Sequence, residues 1–525
     1  MTFQGWCRLL AVAALMLPIV AQAETVLRRG NHDEPETLDP QKSDGSQEYW
    51  IQTDLFEGLA KFDAEGKIVP GAAESWEASA DGLTWIFHLR HGLEWSDGSP
   101  LTAEDFVWSL RRAVDPRTAA AYASILYPVV GAKEINDGRE KDLAKLGVAA
   151  PDPLTVTFRL TQPTPFLAGV LTLGIAYPLP RRVIEAEGEG WTRPGKLVSN
   201  GPFMLAAWTP QLDLKLVRNP HYHAAAAVKL DAVVWSVNEE DETAVKRFRA
   251  GELDIARVPT KEVPALRREM PDALHTGLML WTRYIEFNTG RPPFDDERLR
   301  NAVALLLDRE AIAQQIDPHG EAPAYGLVPP GFAGYTQQPP DWIELSKADR
   351  AAKAKALLAE AGYGPSNRLK IEMVYPAAED LRRILTAMAG LWRPYGIDLT
   401  PLAEENQVVE TQTRNRDYQA AYRGWIADYP DPWSFLSVFR SDSGGLNSTA
   451  YNDPAFDALL DRAVAETDPA ARMKLLESAE RILSRTMPAV AVTYDTTPRL
   501  VSPHLKGYAD NPLDQHPSET ISLAP

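Results

Sequence analysis

Two periodicities alternate along this chain. Polar and apolar residues take turns in Thr84-Trp85-Ile86-Phe87-His88-Leu89-Arg90 and again in Leu154-Thr155-Val156-Thr157-Phe158-Arg159-Leu160. A period of two puts every second side chain on one face, so both stretches predict half-buried strands. Residues 212–217, 233–237 and 369–375 predict three more. Between these groups the apolar spacing lengthens to that of a helix. Asp295 or Asp296 can cap a helix over 298–307, because a carboxylate accepts the unpaired N–H groups of a first turn. Residues 351–361 predict a helix stopped by Gly362, and 381–392, 454–465 and 470–483 predict others. Thr102 with Asp105 has the spacing of a reciprocal cap, and Asp63-Ala64-Glu65-Gly66-Lys67 reads as a hairpin turn. Strands mixed with helices throughout indicate an α/β protein. No low-complexity linker separates the groups, so the domains are expected to be woven together.

The amino terminus departs from this pattern. Arg8 is followed by an uncharged, mostly apolar run over 9–21, and Ala21-Gln22-Ala23 has the small-x-small form of a cleavage site. The run falls short of the roughly 20 residues that span a bilayer. Residues 1–23 therefore read as a secretory signal peptide cleaved near Ala23, which predicts a periplasmic location. The one cysteine, Cys7, precedes the apolar run, where it is badly placed for a lipid anchor. A mature chain without a thiol has no disulfide and no thiolate nucleophile or metal ligand. At 525 residues, 45% hydrophobic and 24% charged, the remainder is expected to form more than one globular domain. The formal net charge is −18, or −19 once Arg8 is lost with the leader. That field repels nucleic acid and anionic lipid, so neither is expected as a partner.

The motifs of catalysis are missing. There is no Gly-x-Ser-x-Gly elbow, no His-Glu-x-x-His helix and no phosphate loop ending in Gly-Lys-Ser/Thr. His221 and His223 flank Tyr222, but two ligands do not complete a metal site, and after Asn219-Pro220 they read as solvated loop histidines. No catalytic residue, metal or cofactor is expected.

From residue 73 the order of local blocks becomes distinctive. Ala73-Glu74-Ser75-Trp76 is followed by residues 85–90, by Trp95-Ser96-Asp97-Gly98-Ser99-Pro100-Leu101-Thr102-Ala103-Glu104-Asp105-Phe106-Val107 and by Arg112-Ala113-Val114-Asp115-Pro116. Further blocks are Ser199-Asn200-Gly201-Pro202-Phe203, Phe248-Arg249-Ala250-Gly251-Glu252-Leu253-Asp254 and Gly424-Trp425-Ile426-Ala427-Asp428-Tyr429. Together they resemble the peptide/nickel class (family 5) of extracellular solute-binding proteins, and within it the oligopeptide-binding type. The resemblance runs over essentially the whole mature chain. It implies a two-lobed periplasmic-binding-protein fold, type II-like, with a third domain inserted in the first lobe. The boundaries it implies are 24–56, 181–280 and 497–525 for the first lobe, 57–180 for the insert and 281–496 for the other lobe. It also implies a monomer that presents a peptide or peptide-like ligand to an inner-membrane ABC transporter permease. Relatives in the class carry other solutes, so cell-wall peptides, metal chelates and haem are the alternative ligands. A periplasmic hydrolase or chaperone is the alternative from another class.

The same resemblance implies a site. The family pairs a peptide α-ammonium with an aspartate at the position of Asp428; a simpler reading has Asp428 capping the turn before Pro430. Gly424, Trp425 and Ile426 are expected to offer backbone to the ligand from one lobe, and Asp44, Gly45 and Ser46 from the other. Tyr122, Trp281, Tyr284 and Trp425 match aromatic wall positions. The departures from the family pattern lie at the other end of the ligand. Tyr422 and Asp317 stand where relatives carry cations for the ligand's carboxylate, with Arg414 and Arg423 out of register by one residue. Asp495 replaces a wall tyrosine, and Asn406 a cleft tryptophan. A more acidic cleft with weakened carboxylate recognition is therefore expected.

Overall fold

The computed structural model describes residues 24–43, 45–120, 122–238, 240–317 and 321–524. The expected signal peptide, with Cys7, lies outside the described residues, as does Asp44.

A mixed sheet of eleven strands runs through both lobes. In one lobe lie Ile397–Glu404, Leu369–Pro376 and Ala420–Ile426, and in the other lie Ile255–Arg257, Val26–Asn31, Ala232–Val237, Asp213–Arg218 and Phe203–Thr209. Two long antiparallel strands, Leu274–Phe287 and Ala489–Val501, join the halves. Their ladder breaks between Leu278 and Thr282, where the Leu280 N–H donates to Pro512 instead at 2.7 Å. The Leu280 carbonyl accepts from the Ala427 N–H at 2.8 Å, so this break also fixes the start of the loop that carries Asp428.

A separate antiparallel sheet forms from Ala73–Ala78, Thr84–Leu89, Thr155–Arg159 and Val148–Asp152. Thr84–Leu89 alternates between half-buried and buried positions, as its period of two requires. Helix Ala103–Val114 packs into the same core, in which Phe87, Phe106 and Phe158 are fully buried. Thr102 and Asp105 form the reciprocal cap, with the Thr102 N–H donating to the Asp105 carboxylate at 2.8 Å. The Asp63 carboxylate holds the hairpin turn through the N–H groups of Glu65 and Lys67, at 3.0 and 2.8 Å.

Helix starts follow their caps. Asp296 accepts from the Arg298 N–H and opens Glu297–Leu306. Ser346 starts Lys347–Glu360 a turn earlier than apolar spacing alone suggests, because its hydroxyl accepts from the Asp349 N–H. Asp468 with Pro469 opens Pro469–Thr486. One expectation is corrected. His223 is not solvated: its Nε2 lies 2.8 Å from buried Glu57, within a cluster that also contains Lys61 and Tyr222. His221 lies 2.7 Å from Glu94. Among the described residues no group of three or more His, Cys, Asp or Glu could hold a metal ion, and no helix is long and apolar enough to cross a membrane.

Glu480, fully buried on helix Pro469–Thr486, ties down the segment after Gly326. Its carboxylate accepts from the N–H groups of Val328 and Gln338, at 2.9 and 3.0 Å, and from the Tyr335 hydroxyl at 2.6 Å. Burial outweighs these donors and raises the carboxyl from 4.5 to about 7. A raised folded-state value means the stabilising contribution is complete below pH 4.5 and is lost as pH rises to about 7. Wild type should therefore lose stability relative to Glu480→Gln across that window, by about 3 kcal/mol at most. Urea denaturation of both proteins at several pH values measures this, and an unchanged difference would contradict the assignment.

Candidate ligand-binding site

A cleft of about 1170 Å³ opens between the lobes. It exceeds the roughly 300–1,000 Å³ of common small-molecule pockets. Gly45, Ser46 and Arg257 line it from one side, Trp281, Ile426 and Asp428 from the other, and Tyr122 from the inserted segment.

The pleat of two adjacent strands sorts the expected residues. Leu274–Phe287 and Ala420–Ile426 pair so that Thr282 faces Trp425 and Tyr284 faces Arg423. Directly opposed residues share a face, and neighbours in sequence do not. Trp281, Arg283, Tyr422, Gly424 and Ile426 therefore share one face, while Tyr284, Glu286, Arg423 and Trp425 share the other. The structure follows this division: Trp281 and Ile426 line the main cleft, with Asp495 from the neighbouring strand. Tyr284, Arg423 and Trp425, together with Arg414, line a second pocket of about 80 Å³. Gly424 allows close approach, because a Cβ there would lie 2.4 Å from the Trp281 indole nitrogen.

The outer edge of Ala420–Ile426 is mostly unpaired. Only Ala420 and Ala421 meet Leu369–Pro376, opposite Met373 and Val374. Residues 422–426 keep that edge free among the described residues. A free edge next to a cleft is a template for one more strand.

Asp428 follows directly. Its carboxylate accepts from the Tyr122 hydroxyl and, at 3.3 Å, from the Ser434 hydroxyl. It accepts from no backbone N–H among the described residues and so does not cap the turn before Pro430; Asp431 caps the turn that follows, accepting from the Trp433 N–H at 2.9 Å. Burial raises the Asp428 carboxyl, and the two hydroxyl donors oppose that rise. No Lys, Arg or His lies within ion-pair distance of it among the described residues. The loop is held from below, where Arg472 grips Asp431 at 2.6 and 2.9 Å and Tyr429 stacks on Phe166 with centroids 4.6 Å apart. Ser434 was not singled out from sequence; its signal was a hydroxyl in the turn opened by Asp431-Pro432. Arg283 was also missed, although period two places it on the face of Trp281, whose ring it covers at 4.7 Å.

Elsewhere the cleft's cations are committed. Arg283 pairs with Asp495 at 2.8 Å, and Arg383 with Asp317 at 2.5 Å. Tyr422 is 0% exposed, beside Arg283 and Asp495, and its hydroxyl has no hydrogen-bond partner among the described residues. Nine carboxylates and five Lys or Arg side chains line the main cleft.

Two lobes around a deep cleft, with an uncompensated carboxylate at the end of a free strand edge, define a solute-binding receptor. The chain belongs to the family described as bacterial extracellular solute-binding proteins, family 5, whose model matches residues 67–447. It is 37% identical over 501 residues to the periplasmic oligopeptide-binding protein OppA of Escherichia coli strain K12, covering 94% of this chain and 92% of that one. It is 36% identical over 495 residues to the probable deoxycholate-binding periplasmic protein YgiS of the same strain, with the same coverage of each chain. Among solved structures, the unliganded open form of the periplasmic murein tripeptide-binding protein MppA superposes with a TM-score of 0.86 at 34% identity, covering 96% of this chain and 98% of that one.

Tyr122→Phe removes one of the two hydroxyl donors that favour the ionised form of Asp428. The Asp428 carboxyl should then titrate at higher pH than in wild type, as read from its carbon chemical shift by NMR. An unchanged titration would mean that the Tyr122 contact does not form in solution.

Proposed function

We propose that this protein is the periplasmic receptor of an ABC importer for peptides. It holds the ligand's α-ammonium on Asp428 and its backbone along the free edge of residues 422–426. Gly45 and Ser46, with Asp44, supply backbone from the opposite lobe as the cleft closes. The observation that carries this reading is Asp428: a largely desolvated carboxylate with only neutral donors. A ligand ammonium supplies the missing counter-charge. The free edge adds the second requirement of peptide capture, donors and acceptors that match a backbone of any sequence.

The relatives' names point to more than one ligand class, and charge decides between them. A bile acid carries a carboxylate and no amine. It would meet Asp428 and a lining of nine carboxylates against five cations. A peptide amine gains from the same field.

The remaining assignments belong to the same reading. The lobe boundaries lie near Phe56, Pro180, Leu280 and Thr496, the last two at the broken ladder of the joining strands. The leader is cleaved near Ala23, and the mature protein works as a monomer that docks on an inner-membrane permease. It carries its ligand without altering it.

Calorimetry with a panel of short peptides tests this reading. Free peptides should bind, and N-acetylation or Asp428→Asn should each weaken binding by about 2–4 kcal/mol. Equal binding of acetylated and free peptides would remove Asp428 from its role. Binding of deoxycholate but of no peptide would overturn the ligand class.

A further inference from the structure

The inserted segment 57–180 is fastened to the two lobes in different ways. To the first lobe it is held by directional polar bonds. Lys61 pairs with Glu519 at 2.8 Å, and Arg112 with Asp39 at 2.7 Å. The Asn200 side chain accepts from the Glu57 N–H at 3.1 Å and donates to the Glu57 carbonyl at 2.8 Å. Asn511 donates to the Ala64 carbonyl at 3.1 Å, and the Ser96 N–H donates to the Ser199 carbonyl at 2.7 Å. Such bonds weaken steeply when their angles change, so together they fix orientation as well as distance.

The joint with the other lobe is built of rings. Phe166 stacks on Tyr429 with centroids 4.6 Å and planes 6° apart, and Trp433 flanks the same ring at 5.9 Å. The Arg472 guanidinium lies 6.0 Å from the Phe166 centroid. Gly169 permits close approach, since a Cβ there would lie 3.2 Å from the Tyr429 Cβ. Among the described residues no ion pair joins the insert to this lobe, and the Tyr122 hydroxyl on Asp428 is their one hydrogen bond. A stacked pair stays buried when one ring turns in its own plane, so it holds position and leaves rotation free.

This joint lies close to the other place where the lobes are loosely coupled. The ladder of the joining strands breaks between Leu278 and Thr282. The Leu280 carbonyl there accepts from the Ala427 N–H, two residues before Tyr429. Two points of free rotation define an axis, and residues 427–429 run from one to the other. Asp428 is the residue between them.

We infer that the Phe166–Tyr429 stack is a second pivot of lobe closure. The insert rides with the first lobe, and the other lobe turns about a line through Leu280 and this stack. The inference rests on the peptide-receptor reading and adds to it how closure is guided. Points near an axis move least. Asp428 therefore keeps its place beside Tyr122 throughout, the amine end of the cleft is assembled before closure, and the ligand's ammonium docks first. Lys261 and Glu379, which line the cleft from the two lobes, approach each other afterwards.

Distances between pairs of spin labels, measured by pulsed double-resonance EPR, test this. The one native cysteine, Cys7, lies in the expected leader, so labels on the mature chain attach only where a cysteine is introduced. All the chosen positions are exposed. Lys261→Cys with Glu379→Cys spans the cleft. Gln162→Cys with Ala470→Cys spans the stack, and Gln162→Cys with Leu212→Cys spans the insert and the first lobe. Calorimetry on each labelled protein confirms that peptide binds. Saturating peptide should shorten the first distance by about 5 Å or more, one strand spacing. The other two should change by about 1 Å at most, the scale of rigid-body agreement. A change across the stack as large as that across the cleft would overturn the pivot. So would a constant distance across the stack with a changing one between insert and first lobe, because the insert would then travel with the other lobe. A bound peptide that leaves the first distance unchanged would also overturn it. These outcomes leave peptide binding intact, whereas failure of every peptide to bind wild type would sink the receptor reading itself.

Discussion

One charge without a counter-charge organises this structure. Asp428 is held in a partly desolvated position by hydroxyls from Tyr122 and Ser434, and by nothing cationic among the described residues. Removing a carboxylate from water is costly unless a cation meets it. The protein invests in keeping it there. Arg472 and Asp431 brace the loop, Phe166 and Tyr429 stack beneath it, and the Ala427 N–H anchors it to the broken ladder at Leu280. Such bracing around an unsatisfied charge marks a position reserved for a partner.

A second constraint is the pleat. Neighbouring residues on a strand face opposite sides, so an arginine moved by one position changes compartments. Tyr422 and Arg423 are that case. Arg423 projects away from the face of Trp281 and Arg283 and into the pocket of Glu286 and Glu410. Tyr422 is buried on the other face, where the cation Arg283 is paired with Asp495. The order of Tyr422 and Arg423 along the strand thus decides which of its two sides carries the charge.

Much of this was legible in the sequence wherever physics is local. The alternation in Thr84–Leu89, the cap at Thr102 and Asp105, and the turn at Asp63 each depend on neighbours a few residues away, and each forms as its residues imply. The site was legible in part. Asp428, Tyr122, Trp281, Ile426, Gly45 and Ser46 meet at one cleft, although Tyr122 and Asp428 are 306 residues apart. Composition and periodicity could not have joined them; the family resemblance did. Tyr284, Trp425, Arg423 and Arg414 fell in a second pocket because the pairing register, which sets the faces, is a long-range property. The misread His223 has the same cause: its partner Glu57 is 166 residues away.

The uncompensated charge also explains how an empty receptor can remain distinct from a loaded one. Closing the lobes over Asp428 without a ligand would strip its remaining water and leave the charge facing only hydroxyls. That penalty falls on the closed state alone, so it shifts the empty protein toward the open arrangement. A ligand ammonium removes the penalty and adds a charge-assisted hydrogen bond. Its differential affinity for the closed state is what moves the equilibrium. A neutral or anionic solute of the same size fills the cleft without cancelling the penalty. On the proposed reading, the carboxylate that selects the ligand therefore also couples selection to closure, and the ladder of the two strands that join the lobes is interrupted at Leu280.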